Sequence, residues 1–359
     1  MAVTKSLLTP VAIATSSFLC LSAAGCHSQS AAHPSIEFTT VPQAAAGGPD
    51  EFAPVAGRVT GALPNQRIVL FARSDEGWWV QPFRSRPFTE IGPDSTWKNQ
   101  IHLGQEYAAL LVGPDYRPPA TAQSLPEPGA GIIAVARAAG SGRFVSPSVK
   151  TISFSGYDWI VRQVQNDRHG MNDYDARNVW VDAEGHLHLL LTERDGRWTC
   201  AEVRLARSLG YGTYTFEVRD TSQLDPSAAF SMYTFDRLGS DQNFRELTVD
   251  ISRWGEPANM DGQFVVQPET VPANVFRFAV PAGPATHSFR WEPGRVAFRS
   301  VRGTGSSRPG AVVAEQLFTA RVPTAGAETP HLTLLYDRSA ARPPSKSVEV
   351  VVEKFTFLP

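Results

Sequence analysis

The sequence predicts an all-β protein, because it is rich in turn residues, has ample apolar content and contains only short apolar runs. Glycine and proline make up 28 residues each of the 359, about 16% together against an average near 12%. Hydrophobic residues account for 42%, which is enough for a folded core. Many apolar stretches alternate with polar residues and end at turn signals, as β-strands do. The length suggests about two domains.

The N-terminus has the layout of an export signal. Residues 1–25 contain one early cation, Lys5, then an apolar run from Leu7 to Leu21 and a small-residue ending before Cys26. We therefore exclude residues 1–25 from the fold as a signal peptide. The ending resembles a bacterial lipoprotein signal, which implies an acylated Cys26, a lipid anchor in a membrane and a location in the exported bacterial cell envelope. The alternative is an ordinary cleaved signal.

The remaining cysteines predict no disulfide. Cys20 leaves with the signal and Cys26 carries the lipid, so Cys200 stands alone. An exported protein of this size without a disulfide must be stabilised by its core.

Composition divides the rest of the chain into an N-terminal module and a larger C-terminal block. Residues 26–50, rich in small residues and proline, are predicted to be a tether, and residues 138–150 a linker. Between them, residues 51–137 are predicted to form a small β-sandwich module. Its strands are expected at Gly57–Gly61, Arg67–Ala72, Tyr107–Val112 and Gly131–Ala136.

Two adjacent tryptophans in the module, Trp78 and Trp79, should point to opposite faces of a strand. One is then expected in the core and the other at the surface. Together with Trp97 they could form a docking surface for sugar or protein, or they could simply pack inside a small sandwich.

The C-terminal block, residues 151–359, has longer alternating strands. In the segment from Arg245 to Gly255, an extended chain places Glu246, Thr248 and Asp250 on one face and apolar residues on the other. The apolar face is expected to go to the core. The polar face must therefore look into a cleft or into solvent.

The block resembles glycoside hydrolase family 16, the laminarinase and lichenase group, over essentially all of its length. The shared elements, in the family's order, are Tyr211–Tyr214, Glu246–Asp250, His287–Trp291 and the closing strand Ser347–Phe357. The resemblance implies a C-terminal jelly-roll β-sandwich of the concanavalin A-like type. It also implies a retaining O-glycosyl hydrolase that acts on a β-glucan- or galactan-type polysaccharide.

The catalytic strand departs from the family pattern. The resemblance makes Glu246 the nucleophile and Asp250 the acid/base, where the family has glutamate, and puts Thr248 in place of a central aspartate. The shorter side chain of Asp250 pulls its carboxyl back by about 1–1.5 Å, and such misplacement can cost about a hundredfold in rate. Loss of the central charge removes a repulsion that raises the pKa of the acid. We therefore expect weakened hydrolysis.

Sugar binding needs aromatic platforms beside hydrogen-bonding groups. The candidate substrate-binding residues are Thr248, Arg253, Trp254, Tyr233, Trp291 and Trp198. Each aromatic residue could instead belong to the core, and Arg253 could pair with an acid rather than bind sugar hydroxyls.

The partners expected are a polysaccharide and, through the lipid anchor, a membrane. Lys and Arg number 33 against 35 Asp and Glu, a net charge of −2, which lacks the basic excess that nucleic acid requires. No cofactor and no metal are expected, because no glycine-rich phosphate loop is present and His186 and His188 have no evident third metal ligand. The alternative function is a non-catalytic glycan-binding or structural cell-envelope protein.

Overall fold

The computed structural model describes residues 33–47, 52–74, 77–142, 149–164, 172–305 and 310–359. Within them the protein is almost entirely β, which confirms the predicted fold class. The signal segment and Cys26 lie outside the described residues. No helix in the described part of the chain is long and apolar enough to cross a membrane.

The N-terminal module is a sandwich of two antiparallel sheets. One sheet has the order β1-β2-β6, and the other has the order β8-β4-β3-β7-β9 with β5 paired to β3. The strands are β1 Ser35–Thr40, β2 Phe52–Thr60, β3 Arg67–Ser74, β4 Gly77–Gln81, β5 Phe88–Thr89, β6 Thr96–His102, β7 Glu106–Val112, β8 Thr121–Ala122 and β9 Ile132–Ala139. All four strands expected in this module are present.

The predicted tether is wrong for residues 35–40, which form β1 and pair with β2. The alternation in Ser35–Thr40 puts Ile36 and Phe38 on one face, where Phe38 meets the ring of Trp97 edge-on at 5.5 Å. Gly57 makes this approach possible, because a Cβ there would lie 2.2 Å from the Trp97 ring. A short apolar alternation therefore outweighed the small-residue composition around it.

Trp78 and Trp79 behave as predicted, since Trp78 is buried and Trp79 is half-exposed. Trp97 is only 2% exposed and belongs to the module's core. The docking surface that included Trp97 is therefore wrong.

The C-terminal block is a jelly-roll sandwich. Its first sheet runs β20-β19-β18-β17-β24-β15 and its second β25-β16-β21-β22-β23. Strand β14 joins them, pairing with β25 over one part of its length and with β15 over the other. The strands are β10 Thr151–Phe154, β11 Tyr157–Val161, β12 Asp173–Tyr174, β13 Val179–Val181, β14 Leu187–Arg194, β15 Arg197–Leu205, β16 Gly212–Val218, β17 Ala228–Phe235, β18 Leu247–Ser252, β19 Gly262–Val266, β20 Val275–Phe278, β21 Ala285–Glu292, β22 Arg295–Arg302, β23 Val312–Phe318, β24 Thr329–Tyr336 and β25 Val348–Leu358.

Short 3₁₀ helices lie at Ala176–Asn178 and Pro272–Asn274, whereas Ser240–Arg245 is a kinked segment whose φ and ψ angles are not helical at Gln242, Asn243 and Phe244. The core lies between the two large sheets, and Leu247, Val249 and Ile251 of β18 contribute to it with at most 2% exposure. Cys200 is a free, buried thiol. The opposite face of β18 is therefore the face left for a site.

Candidate functional site

The polar face of β18 carries the two predicted catalytic carboxyl groups. Glu246 immediately precedes the strand and Asp250 lies within it, and both are half-buried, so both reach solvent. The core side of β18 fixes this orientation, because Leu247, Val249 and Ile251 cannot leave the core without a large loss of buried apolar surface.

Asp250 is held by the strands on either side of β18. Ser231 of β17 donates its hydroxyl to Oδ1 at 2.6 Å, and Gln263 of β19 donates its amide to Oδ2 at 2.9 Å. Both residues are direct cross-strand neighbours of Asp250. Burial raises the pKa of Asp250, while these two hydrogen bonds favour its ionised form. The missing charge at position 248 by itself predicts a lower pKa for Asp250, and burial acts in the opposite direction.

Glu246 is the second carboxyl group on this face whose pKa is raised. Burial first, and the nearby charge of Asp250 second, raise the pKa of Glu246 to about 7. Thr248 and Gln267 donate to Oε1 at 3.1 and 3.3 Å.

Thr248 supports Glu246 and does not form a sugar contact. It is 3% exposed, and its hydroxyl makes the hydrogen bond to Glu246 that the sequence argument allowed. The assignment of Thr248 to substrate binding is therefore wrong, because its neighbours in the sheet cover it.

A strained loop sets the position of Glu246. Asn243, Phe244 and Arg245 have φ angles of 52°, 59° and 52°, and such left-handed residues cost about 1–2 kcal/mol each when they are not glycine. The backbone N–H of Asp236 donates to the carbonyl of Phe244 at 2.7 Å, and the Arg245 guanidinium donates to the Asp236 carboxylate at 2.9 Å. This strain directly before a candidate catalytic residue is typical of functional sites.

Two predicted aromatic residues lie on the polar face. Tyr233 of β17 is the cross-strand neighbour of Thr248 and stacks on His331 with ring centroids 4.9 Å apart. Trp254 follows β18, and the Arg277 guanidinium lies 4.2 Å from the centre of its ring. Arg277 is the cross-strand neighbour of Gln263, which places Trp254 near the Asp250 end of the face.

The other predicted binding residues lie elsewhere or have partners. Trp291 is fully buried in the core, where its indole N–H donates to the carbonyl of Pro323 at 3.1 Å, so its assignment to sugar binding is wrong. Trp198 lies in the β14–β15 hairpin, three strands from β18, and is half-buried against the core, so its assignment stays a prediction. Arg253 pairs with Asp261 at 3.3 Å, which favours the ion-pair alternative for this residue.

Sequence reasoning missed a buried charged group on the same face. Glu202 of β15 pairs with Arg162 at 2.6 Å and receives the Nδ1–H of His331 at 3.0 Å. Despite burial, the Arg162 charge and the His331 hydrogen bond hold the pKa of Glu202 at about 2, while burial lowers the pKa of His331. The two-residue alternation in β15 and β24 could have placed both residues on a polar face, but not beside Tyr233.

No group of three or more metal-ligating side chains occurs in the described part of the chain. His188 instead lies between the carboxylates of Asp182 and Glu349, at 2.9 and 2.7 Å. These contacts satisfy the histidine without a metal ion.

Comparison with solved structures finds β-glucanases. The Bacillus licheniformis β-glucanase aligns with a TM-score of 0.45 and 14% identity over 60% of this chain and 100% of its own. A lichenase derived from a mouse hindgut metagenome gives 0.44 and 16%, over 58% and 98%. A β-1,3-glucanase from Mycobacterium marinum gives 0.40 and 12%, over 56% and 90%. No family model and no curated protein matches the chain.

Proposed function

We propose that the C-terminal sandwich is a carbohydrate-active unit that binds a β-glucan- or galactan-type polysaccharide on the polar face of β18 and hydrolyses it slowly. One observation carries the proposal: Glu246 and Asp250 reach solvent on a face that also presents Tyr233, Trp254 and Arg277. Paired carboxyl groups beside aromatic rings and hydrogen-bond donors are what glycoside recognition and cleavage require.

The protonation states suggest which carboxyl group would act as the acid and which as the nucleophile. Retaining hydrolysis needs one carboxylic acid to protonate the leaving oxygen and one carboxylate to attack the anomeric carbon. Glu246, with a pKa of about 7, suits the acid. Asp250, whose two oxygens accept hydrogen bonds, suits the carboxylate. This division reverses the roles that the family resemblance implies, and the short Asp250 side chain accounts for slow attack.

Substitution of the acid tests the catalytic part. We expect release of reducing sugar from a panel of β-glucans and galactans, with a rate that falls as pH rises through about 7 because Glu246 loses its proton. Glu246→Gln should lower the rate by about a hundredfold or more while retaining the polysaccharide in affinity electrophoresis. If no reducing sugar is released, or if Glu246→Gln releases it at the wild-type rate, the proposal that the protein is a hydrolase is contradicted.

A second candidate, non-catalytic glycan binding, is favoured by the full engagement of Asp250, since a fixed acceptor can serve binding alone. Trp254→Ala should then weaken retention about tenfold, with or without hydrolysis. Trp180→Ala, which removes an exposed ring from β13, is the matched control. If no glycan retards the protein in affinity electrophoresis, a structural role in the cell envelope is the function that remains.

We further propose that the protein is exported to the bacterial cell envelope and anchored by lipid on Cys26. The support is the sequence of residues 1–26 alone. Expressed in a bacterial host, the wild-type protein should enter the detergent phase on extraction, and Cys26→Ala should move to the aqueous phase, because acyl chains provide the membrane affinity. Equal partition of the two proteins would contradict the anchor.

A further inference from the structure

A groove lies between the N-terminal module and the jelly roll. It has a volume of about 370 Å³, within the range of ligand sites. The N-terminal module lines it with Trp79, Phe83 and His102, and the jelly roll lines it with Arg237, Ser240 and Phe244. Rings and hydrogen-bonding groups from two parts of the chain thus face a common space.

Direct contacts join the two walls of the groove. The Thr121 hydroxyl donates to the carbonyl of Leu238 at 3.3 Å. Gly77 lies against the Leu238 side chain, which a Cβ at position 77 would meet at 2.8 Å. The loop that carries Leu238 continues through Phe244 to Glu246, so a single segment connects the module contact, the groove and the candidate site.

A line of rings joins the groove to the polar face of β18. Phe244 is 37% exposed and stacks on Phe235, with ring centroids 5.2 Å apart. Phe235 shares a strand face with Tyr233, and their centroids are 6.4 Å apart. A chain that contacts Tyr233 can therefore continue over Phe235 and Phe244 into the groove.

On the N-terminal side the aromatic lining extends further. The Phe83 ring lies 5.7 Å from His102 and 5.9 Å from Phe52, and all three are close to the surface. The half-exposed Trp79 adds a larger ring. Aromatic faces beside the imidazole of His102 and the guanidinium of Arg237 match a sugar, whose faces are apolar and whose edge carries hydroxyls.

We propose that the groove binds the continuation of the same polysaccharide, so that Trp79 and Phe244 contact sugar units beyond those on the β18 face. The proposal rests on the proposed function, because it takes its ligand from there. It gives the N-terminal module a role in recognition of long chains. The left-handed loop through Phe244 then holds a binding ring and Glu246 in fixed relation.

Affinity as a function of chain length tests the proposal. The full protein would be titrated calorimetrically with trisaccharides and octasaccharides of β-glucan and galactan. Trp79→Ala and Phe244→Ala should each weaken octasaccharide binding about tenfold and leave trisaccharide binding unchanged. Trp254→Ala should weaken both. Trp180→Ala, which removes an exposed ring that does not line the groove, should change neither.

The outcomes separate this proposal from the one it rests on. If both groove variants keep octasaccharide affinity within twofold while Trp254→Ala loses it, the groove proposal is overturned and the proposed function stands. If the groove variants lose affinity equally for trisaccharides and octasaccharides, the groove proposal is also overturned, because the effect would then not depend on the length of the sugar chain. If the wild-type protein binds no sugar of either length, both proposals fail.

Discussion

Replacing Trp291 by alanine should lower the free energy of unfolding of the jelly roll by about 3–5 kcal/mol, the usual cost of truncating a buried aromatic side chain. Trp291 has no exposed surface, and its ring meets that of Tyr211 edge-on at 5.2 Å. The change would leave a cavity between the two sheets and would leave the carbonyl of Pro323 without the indole donor.

Urea denaturation followed by near-ultraviolet circular dichroism measures the effect. Trp254→Ala is the matched control, because the same side chain is removed from a half-buried position. It should cost about 1 kcal/mol, mainly the contact with Arg277. If Trp291→Ala keeps the wild-type stability but no longer retains polysaccharide, Trp291 is a binding residue after all.

Replacing Glu202 by alanine should destabilise the protein at neutral pH by about 2–4 kcal/mol. The change removes the carboxylate that pairs with Arg162 and that accepts the His331 proton. Breaking a fully buried pair costs about 3–5 kcal/mol. We expect the lower range, about 2–4 kcal/mol, because the Arg162 side chain is 32% exposed and water screens its charge.

The same carboxylate predicts acid sensitivity. The pKa of Glu202 falls from 4.5 to about 2 on folding, so its stabilisation is fully present above pH 4.5 and disappears as pH falls through about 2. The linked free energy is about 3 kcal/mol. Urea midpoints measured from neutral to acid pH should therefore fall more steeply for the wild-type protein than for Glu202→Ala.

Glu184→Ala, which removes an exposed glutamate from a turn, is the control for both parts of this prediction. It should change the free energy of unfolding by less than about 0.5 kcal/mol. The fall of the urea midpoint from neutral to acid pH should stay as in the wild-type protein. A Glu202→Ala protein with wild-type stability at neutral pH, or with the wild-type acid slope, would show that the Glu202–His331 contact is not formed as described.

Strand periodicity explains why so much of the site strand could be predicted. A period of two assigns every residue of β18 to a face, and Leu247, Val249 and Ile251 are buried as that assignment requires. The same rule placed Asp250 opposite them. It also separates Trp78 from Trp79. These predictions depend only on the residues of one strand and on the geometry of an extended chain.

Short or interrupted patterns were harder to interpret. The tether prediction failed at β1 because composition over some twenty residues concealed a six-residue strand. Trp291 and Trp254 differ only in what packs against them: Trp291 shares a strand face with the buried Phe289, whereas Trp254 lies past the end of β18. The loop before Glu246 contains no glycine at its left-handed positions, so the sequence carried no signal for it.

The sequence by itself determined the β architecture and the face of β18 on which the carboxyl groups lie, because both follow from periodicity along a single strand. Only the tertiary structure decided which strands flank β18, and with them the hydrogen bonds of Asp250, the raised pKa of Glu246 and the groove beside Phe244. Burial and charge coupling depend on contacts between residues that are distant in the chain. Periodicity along one strand does not specify those contacts.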